Sequence, residues 1–291
     1  MLLIDILLPG IVLGGMYALI ALGLTLQYGV ARVMNLAYGE TLVVAALSAF
    51  ALYMGTSLSP LLALFLAIPA AAGANWLLYR FMLLPLMRRS RDAGAREVDS
   101  ILVTFGLLFV IQGIMLVMFG GQYYSYSYFS VPVVVLGSTL ALNRIVALAF
   151  AAVIGIAVYL ALTRTRIGTA MRALAVDANA ARLVGIDVAA LSGIAFAIGG
   201  GLVAGGGVLV SMFLTFNAAM GVVFTMKALV VVIMGGIGNV MGTLVAGLML
   251  GIVETAVARL VDPGLTLAAT YTLFLLVLLL RPSGLFGASA R

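Results

Sequence analysis

From residue 188 to residue 226 the chain runs 39 residues without one charged side chain, and residues 101–119 and 145–163 are further uncharged apolar runs. Crossing the hydrocarbon core of a bilayer takes about 20 consecutive apolar residues as a helix. A backbone in lipid must satisfy its own hydrogen bonds, which leaves helices or closed barrels. Long apolar runs without alternation favour the helix. The other apolar runs are 6–30, 41–79, 228–253 and 265–280, the second of them broken by MGTSLSP at 54–60. The expectation is an all-α polytopic membrane bundle of about eight segments, forming one domain over residues 1–291. Composition agrees, since only 8% of residues are charged against about 25% in soluble domains. Residues 1–28 lack the basic start of a signal peptide and are expected to stay as a membrane segment.

The chain has no Cys and no His. That excludes disulfides, Cys/His metal sites and His-dependent nucleophilic catalysis. The acids stand singly, so neither a catalytic constellation nor a metal site is expected. The net charge of +6 resides in short loops between apolar runs. Such loops report membrane orientation, and nucleic acid is not an expected partner. The GxGxxA pattern beginning at Gly199 has neither a preceding strand nor a following acid. There, Gly201 and Gly205 at i, i+4 spacing fit close helix packing instead. No GxxxxGK[ST] occurs, so ATP phosphates cannot be cradled by that device.

The Arg-rich loops are 88–100 and 164–187, whereas 120–143 and 213–226 carry no charge. The former are therefore cytoplasmic and the latter outside. The tyrosines of QYYSYSYF at 122–129 suit an interface; a sugar platform is the alternative. With residue 220 outside, two full crossings afterwards would leave Arg281 outside as well, so one late segment must double back or cross only halfway. GGIGN at 235–239 is the expected place, because Gly235, Gly236 and Gly238 each weaken a helix by about 1 kcal/mol relative to Ala. A matching break is expected at MNLAYGE, 34–40, with similar apolar runs after each. Paired broken helices in two halves point to an internal inverted repeat around a central pathway.

Glu40 and Lys227 lie within or beside apolar runs, where a central charge costs about 2.5–3.5 kcal/mol. Either they face a path or pair near it, or Glu40 rests on a helix N-terminus and Lys227 snorkels outward. Glu254 is expected at an interface. Asn35, Tyr38 and Asn239, beside the breaks, either repair freed backbone groups or meet a solute.

Within 164–187, Asp177 is a good N-cap and Gly185 a good stop, predicting a two-turn helix over 178–184. Ala178, Ala181 and Val184 share one face by i, i+3 spacing. So short a helix is stable only when docked. NAARLVG, residues 179–185, resembles the Ala-Ala-x-x-x-Gly core of the coupling loop of ABC-importer permeases. Its context RTRIGTAMRALAVD, the stretches 14–40 and 231–254, and RPSGLFG at 281–287 are similar to the branched-chain amino acid permeases. Asn179 departs from the Glu found in many importers. The resemblance implies a bacterial inner-membrane transport subunit without enzyme activity of its own. It implies two cytoplasmic ATPases that bind ATP and Mg, a second similar permease, and a periplasmic binding protein that delivers hydrophobic amino acids. On this resemblance Arg172, Asp177, Asn179, Ala180, Ala181, Arg182 and Gly185 meet the ATPase. Gly235, Gly236, Gly238 and Asn239 would join Asn35, Tyr38, Glu40 and Lys227 along the path. Urea, short amides and small carboxylates are alternative solutes. A stand-alone carrier using Glu40 is the alternative mechanism.

Overall fold

A computed structural model describes residues 2–90, 93–135 and 137–287. Arg91 of the Arg-rich loop lies outside the described residues. Among the described residues the regular structure is helical apart from one short hairpin. In order the helices are α1 (Leu2–Ala31), α2 (Tyr38–Thr56), α3 (Pro60–Leu78), α4 (Leu84–Arg89) and α5 (Ala93–Phe119). The hairpin β1 (Pro132–Val135) and β2 (Ser138–Ala141) follows. Then come α6 (Leu142–Arg164), α7 (Arg166–Val176), α8 (Ala178–Leu183), α9 (Val188–Ser211), α10 (Gly221–Gly235), α11 (Val240–Leu260) and α12 (Thr266–Leu280). Among the described residues, 8 helices are long and apolar enough to cross a membrane, and α10 is a shorter apolar one. The protein is an all-α polytopic membrane bundle.

A π-helical turn, Tyr79–Leu83, joins α3 to α4. Pro85 explains it, because its missing N–H and its ring are incompatible with a regular turn there, and the wider turn accommodates both. The centre of the bundle is α1 and α9, flanked by α2, α3 and α11. Backbones come together where side chains are absent. A Cβ on Gly14 would stand 2.7 Å from the Leu248 Cα, and one on Gly251 would fall on the Gly14 backbone, so α1 and α11 pack glycine on glycine. Gly201 and Gly205 face Ile68 of α3 at 3.3 Å, a looser seam lined by side chains.

Hydrogen bonds gather the connections into two ends. At one, Arg32 Nη2 donates to the Ala175 carbonyl at 3.0 Å. There too the Leu285 N–H donates to Met234 O at 2.7 Å and the Phe286 N–H to Gly235 O at 3.2 Å. The Arg-rich segments, the break between α10 and α11, and RPSGLFG therefore share that end. At the opposite end Tyr124 and Phe216 exchange N–H···O bonds of 2.8 and 3.0 Å, tying the two charge-free loops together. The tyrosines here are largely consumed by packing: Tyr126 is buried, stacked on Tyr53 at 5.2 Å and bonded to the Ser211 hydroxyl at 2.8 Å. Among the tyrosines of this run Tyr123 alone is widely exposed.

Of the two forms the parity expectation allowed, the structure has the half crossing. The run 228–253 is not one segment, since α10 ends at Gly235 and α11 starts at Val240. The short α10 crosses only part of the way, and α11 and α12 then bring Arg281 to the Arg-rich end. The break at 236–239 is the turn that reverses the chain at that end. It is made by Gly236 and Gly238 at φ +100° and +79°, a region closed to most side chains.

Candidate functional site: two helix starts meeting inside the bundle

After α1 ends at Ala31 the chain folds back into the bundle before α2 starts. Tyr38 donates its hydroxyl to the Ile20 carbonyl at 2.5 Å. Ile20 lies about 16 Å back from Ala31 along α1, at 1.5 Å per residue. Irregular backbone at that depth is tolerated only where protein groups serve it, and they do. The Ser100 hydroxyl accepts from Met34 N–H at 3.3 Å, and the Thr104 hydroxyl accepts from Leu36 N–H at 3.1 Å. From the opposite end, residues 212–220 return the chain to the same region, where Gly221 opens α10. The two helix starts abut. The Gly39 N–H donates to the Thr225 hydroxyl at 2.8 Å, and a Cβ on Gly39 would fall on the Gly221 carbonyl. The pairing of breaks thus differs from expectation: the re-entrant start at 34–40 meets 221–225, not 235–239.

Around this junction the predicted residues separate. Asn35 is buried and donates to Gln27 Oε1 at 3.1 Å. Gln27 in turn donates to Phe196 O at 3.1 Å and reaches Asn75 Oδ1 at 3.4 Å. Glu40 is 0% exposed on the first turn of α2 and lies against Gly221. Thr41, the residue after Glu40, and Asn75 line a mainly apolar cavity of about 460 Å³ between α2 and α3. Gly235, Gly236, Gly238 and Asn239 lie elsewhere, at the Arg-rich end. There Asn239 accepts from Gly242 N–H at 3.0 Å as the cap of α11 and donates to Phe286 O at 2.9 Å.

Lys227 does not pair with Glu40, nor does it snorkel. Its Nζ stands 2.8 Å from Glu254 Oε1, with the two side chains 13% and 3% exposed. Tyr17 donates to Glu254 Oε2 at 2.7 Å, and Lys227 donates to the Tyr17 oxygen at 2.7 Å. Thr270 donates to Glu254 Oε1, the oxygen that Lys227 also meets. Glu254 is therefore buried, where an interfacial position was expected. The cluster fastens α1, α10, α11 and α12 together, and it holds half-helix α10 by its middle. Tyr17, Gln27, Asn75, Thr225 and Thr270 are the participants missed in the sequence. Gln27 and Asn75 carried a visible signal, being amides inside apolar runs.

At the Arg-rich end Asp177 caps α8, its Oδ1 accepting from Asn179 N–H at 2.8 Å and Ala180 N–H at 3.1 Å. Gly185 takes φ +81° just beyond it. Ala181 is buried against the bundle, while Asn179, Ala180, Arg182 and Arg172 face outward. The face expected from Ala178, Ala181 and Val184 is only partly formed. The helix ends at Leu183, so Val184 is 75% exposed instead of joining Ala181.

A many-helix membrane bundle in which the starts of α2 and of the shorter α10 meet head to head inside the protein, with few buried charges, is the architecture of a solute permease. The family described as the branched-chain amino acid transport system permease component matches residues 6–281. The chain belongs to that family. It is 28% identical to the high-affinity branched-chain amino acid transport system permease protein LivH of Salmonella typhimurium, over 96% of this chain and 93% of that one. It is also 28% identical to the permease protein BraD of Pseudomonas aeruginosa, over 96% and 94%. Identity is 24% to a probable LivH of Methanocaldococcus jannaschii, over 85% and 78%. No solved structure matches the chain.

Proposed function

We propose that this chain is the membrane subunit of an ATP-driven importer that carries branched-chain amino acids or closely related small solutes across the inner membrane. The observation that carries the reading is α8. It is a capped two-turn helix at the Arg-rich end that buries Ala181 and presents Leu183, 89% exposed, and Val184, 75% exposed, away from the bundle. Apolar side chains held out by a helix too short to stand alone ask for a partner surface. A pair of cytoplasmic ATPases, binding ATP and Mg on their own residues, is that partner. A second, similar permease and the surrounding lipid cover the exposed apolar side chains of α3 and α5, such as Phe65 and Phe109. A periplasmic binding protein delivers the solute to the tyrosine-rich end. The relatives named for branched-chain amino acid transport support the solute class.

In this mechanism ATP-driven movement at α8 passes through α7 and α9 to the starts of α2 and α10. The chain's own contribution is a path whose closure point is two helix starts packed glycine on glycine. Charge reversal at Arg172 or Arg182, or Gly185→Trp, is expected to leave ATP hydrolysis running while solute uptake falls at least tenfold. Normal coupling in all three variants removes α8 from the mechanism.

A further inference from the structure

Among the described residues two carboxylates are wholly enclosed, and the protein treats them in opposite ways. Glu254 receives a lysine, a tyrosine and a threonine. Glu40, 0% exposed, accepts no hydrogen bond at either carboxylate oxygen. Leaving a buried carboxyl without partners is costly, and the fold could have supplied them, as it does for Glu254. What lies against the Glu40 carboxylate instead is Gly221, where any side chain would occupy the same place. Gly221 therefore makes the room for this carboxylate, and Gly39 makes room for the Gly221 carbonyl beside it, at the junction of the two helix starts. Both helix starts point their first-turn amides, with their partial positive charge, at this junction.

We propose that Glu40 is the receptor for the ammonium group of the transported amino acid, reached when the starts of α2 and α10 part. The proposal rests on the importer reading above and names the solute chemistry at its closure point. A primary ammonium brings three donors and one positive charge, which are what the two orphan oxygens lack. The amides of the separating helix starts fit the solute's carboxylate, as half-helix ends do in other carriers. The apolar cavity beside Thr41 and Asn75 suits an aliphatic side chain.

The test uses the complete assembly, permeases with ATPases and binding protein, in proteoliposomes. Labelled leucine uptake and ATP hydrolysis are measured for wild type, Glu40→Gln and Glu40→Asp. Glu40→Gln is expected to cut uptake at least tenfold with hydrolysis within twofold of wild type, and Glu40→Asp to restore part of the uptake. Uptake that survives in Glu40→Gln, including uptake that merely loses a dependence on pH, overturns the proposal in favour of a proton or of no ligand. Equal loss of uptake and hydrolysis in an assembled complex assigns Glu40 to structure and also overturns it. Should the Gln variant fail to assemble, the wild-type assembly without binding protein decides. Leucine is expected to bind at least tenfold tighter than 4-methylpentanoate, the same skeleton without the ammonium, and equal binding refutes the claim. Failure of the importer reading shows separately, as wild type that takes up no amino acid with ATP.

Discussion

Replacing Lys227 by Met tests whether the buried cluster holds half-helix α10 in place. In the native protein the Glu254 carboxylate, 3% exposed on its side chain, is neutralised by Lys227 at 2.8 Å and further bonded by Tyr17 and Thr270. Met keeps most of the lysine's length and apolar bulk but withdraws the charge. The carboxylate then stays enclosed with only neutral donors, and breaking a buried pair from one side costs about 3–5 kcal/mol. Removing both charges, as Lys227→Met with Glu254→Met, leaves no stranded ion. The double variant is expected to lose no more than about 2 kcal/mol, since buried pairs replaced by apolar groups are often close to neutral. The four proteins form a double-mutant cycle, read as unfolding free energies by sodium dodecyl sulfate titration in mixed micelles. A coupling of at least about 2 kcal/mol is expected between two positions separated by an entire turn of the chain. Single variants within about 0.5 kcal/mol of wild type, or losses that simply add, would refute the reasoning.

Two further outcomes follow from the packing and the cap. Gly251→Val drives a branched side chain onto the backbone of Gly14, so overpacking of about 1–3 kcal/mol or more is expected, read by the same titration. Asp177→Ala removes the side chain that accepts from Asn179 and Ala180. It should cost about 1 kcal/mol locally, visible as faster amide exchange over 178–183, and it should weaken ATPase co-purification while the bundle stays folded.

The membrane class and the helical bundle were legible because uncharged length is a physical requirement of lipid and shows directly in the residues. The α8 cap and the Gly185 stop were legible for the same local reason. Val184 was misplaced because i, i+3 spacing describes a continuing helix, and this one ends a residue earlier, at Leu183. The break at 34–40 could be found from its polar residues. Its true counterpart, 212–220, could not, because its lack of charge made it look like a loop outside the membrane. The partnership of Lys227 with Glu254 and Tyr17 was hidden by sequence separations of 27 and 210 residues. A lone charge in an apolar run announces that it needs a partner, but the pairing is decided by which helices touch. Glu40 shows the converse, since its lack of donors is visible only once every neighbour is placed.

The most direct test of the account is labelled leucine accumulation by the purified assembly in proteoliposomes without ion gradients. ATP is supplied on the side of α8 and the binding protein on the side of Tyr123. The account predicts accumulation that requires both ATP and the binding protein. Accumulation by this chain alone, driven by a proton or sodium gradient and indifferent to ATP, would contradict it.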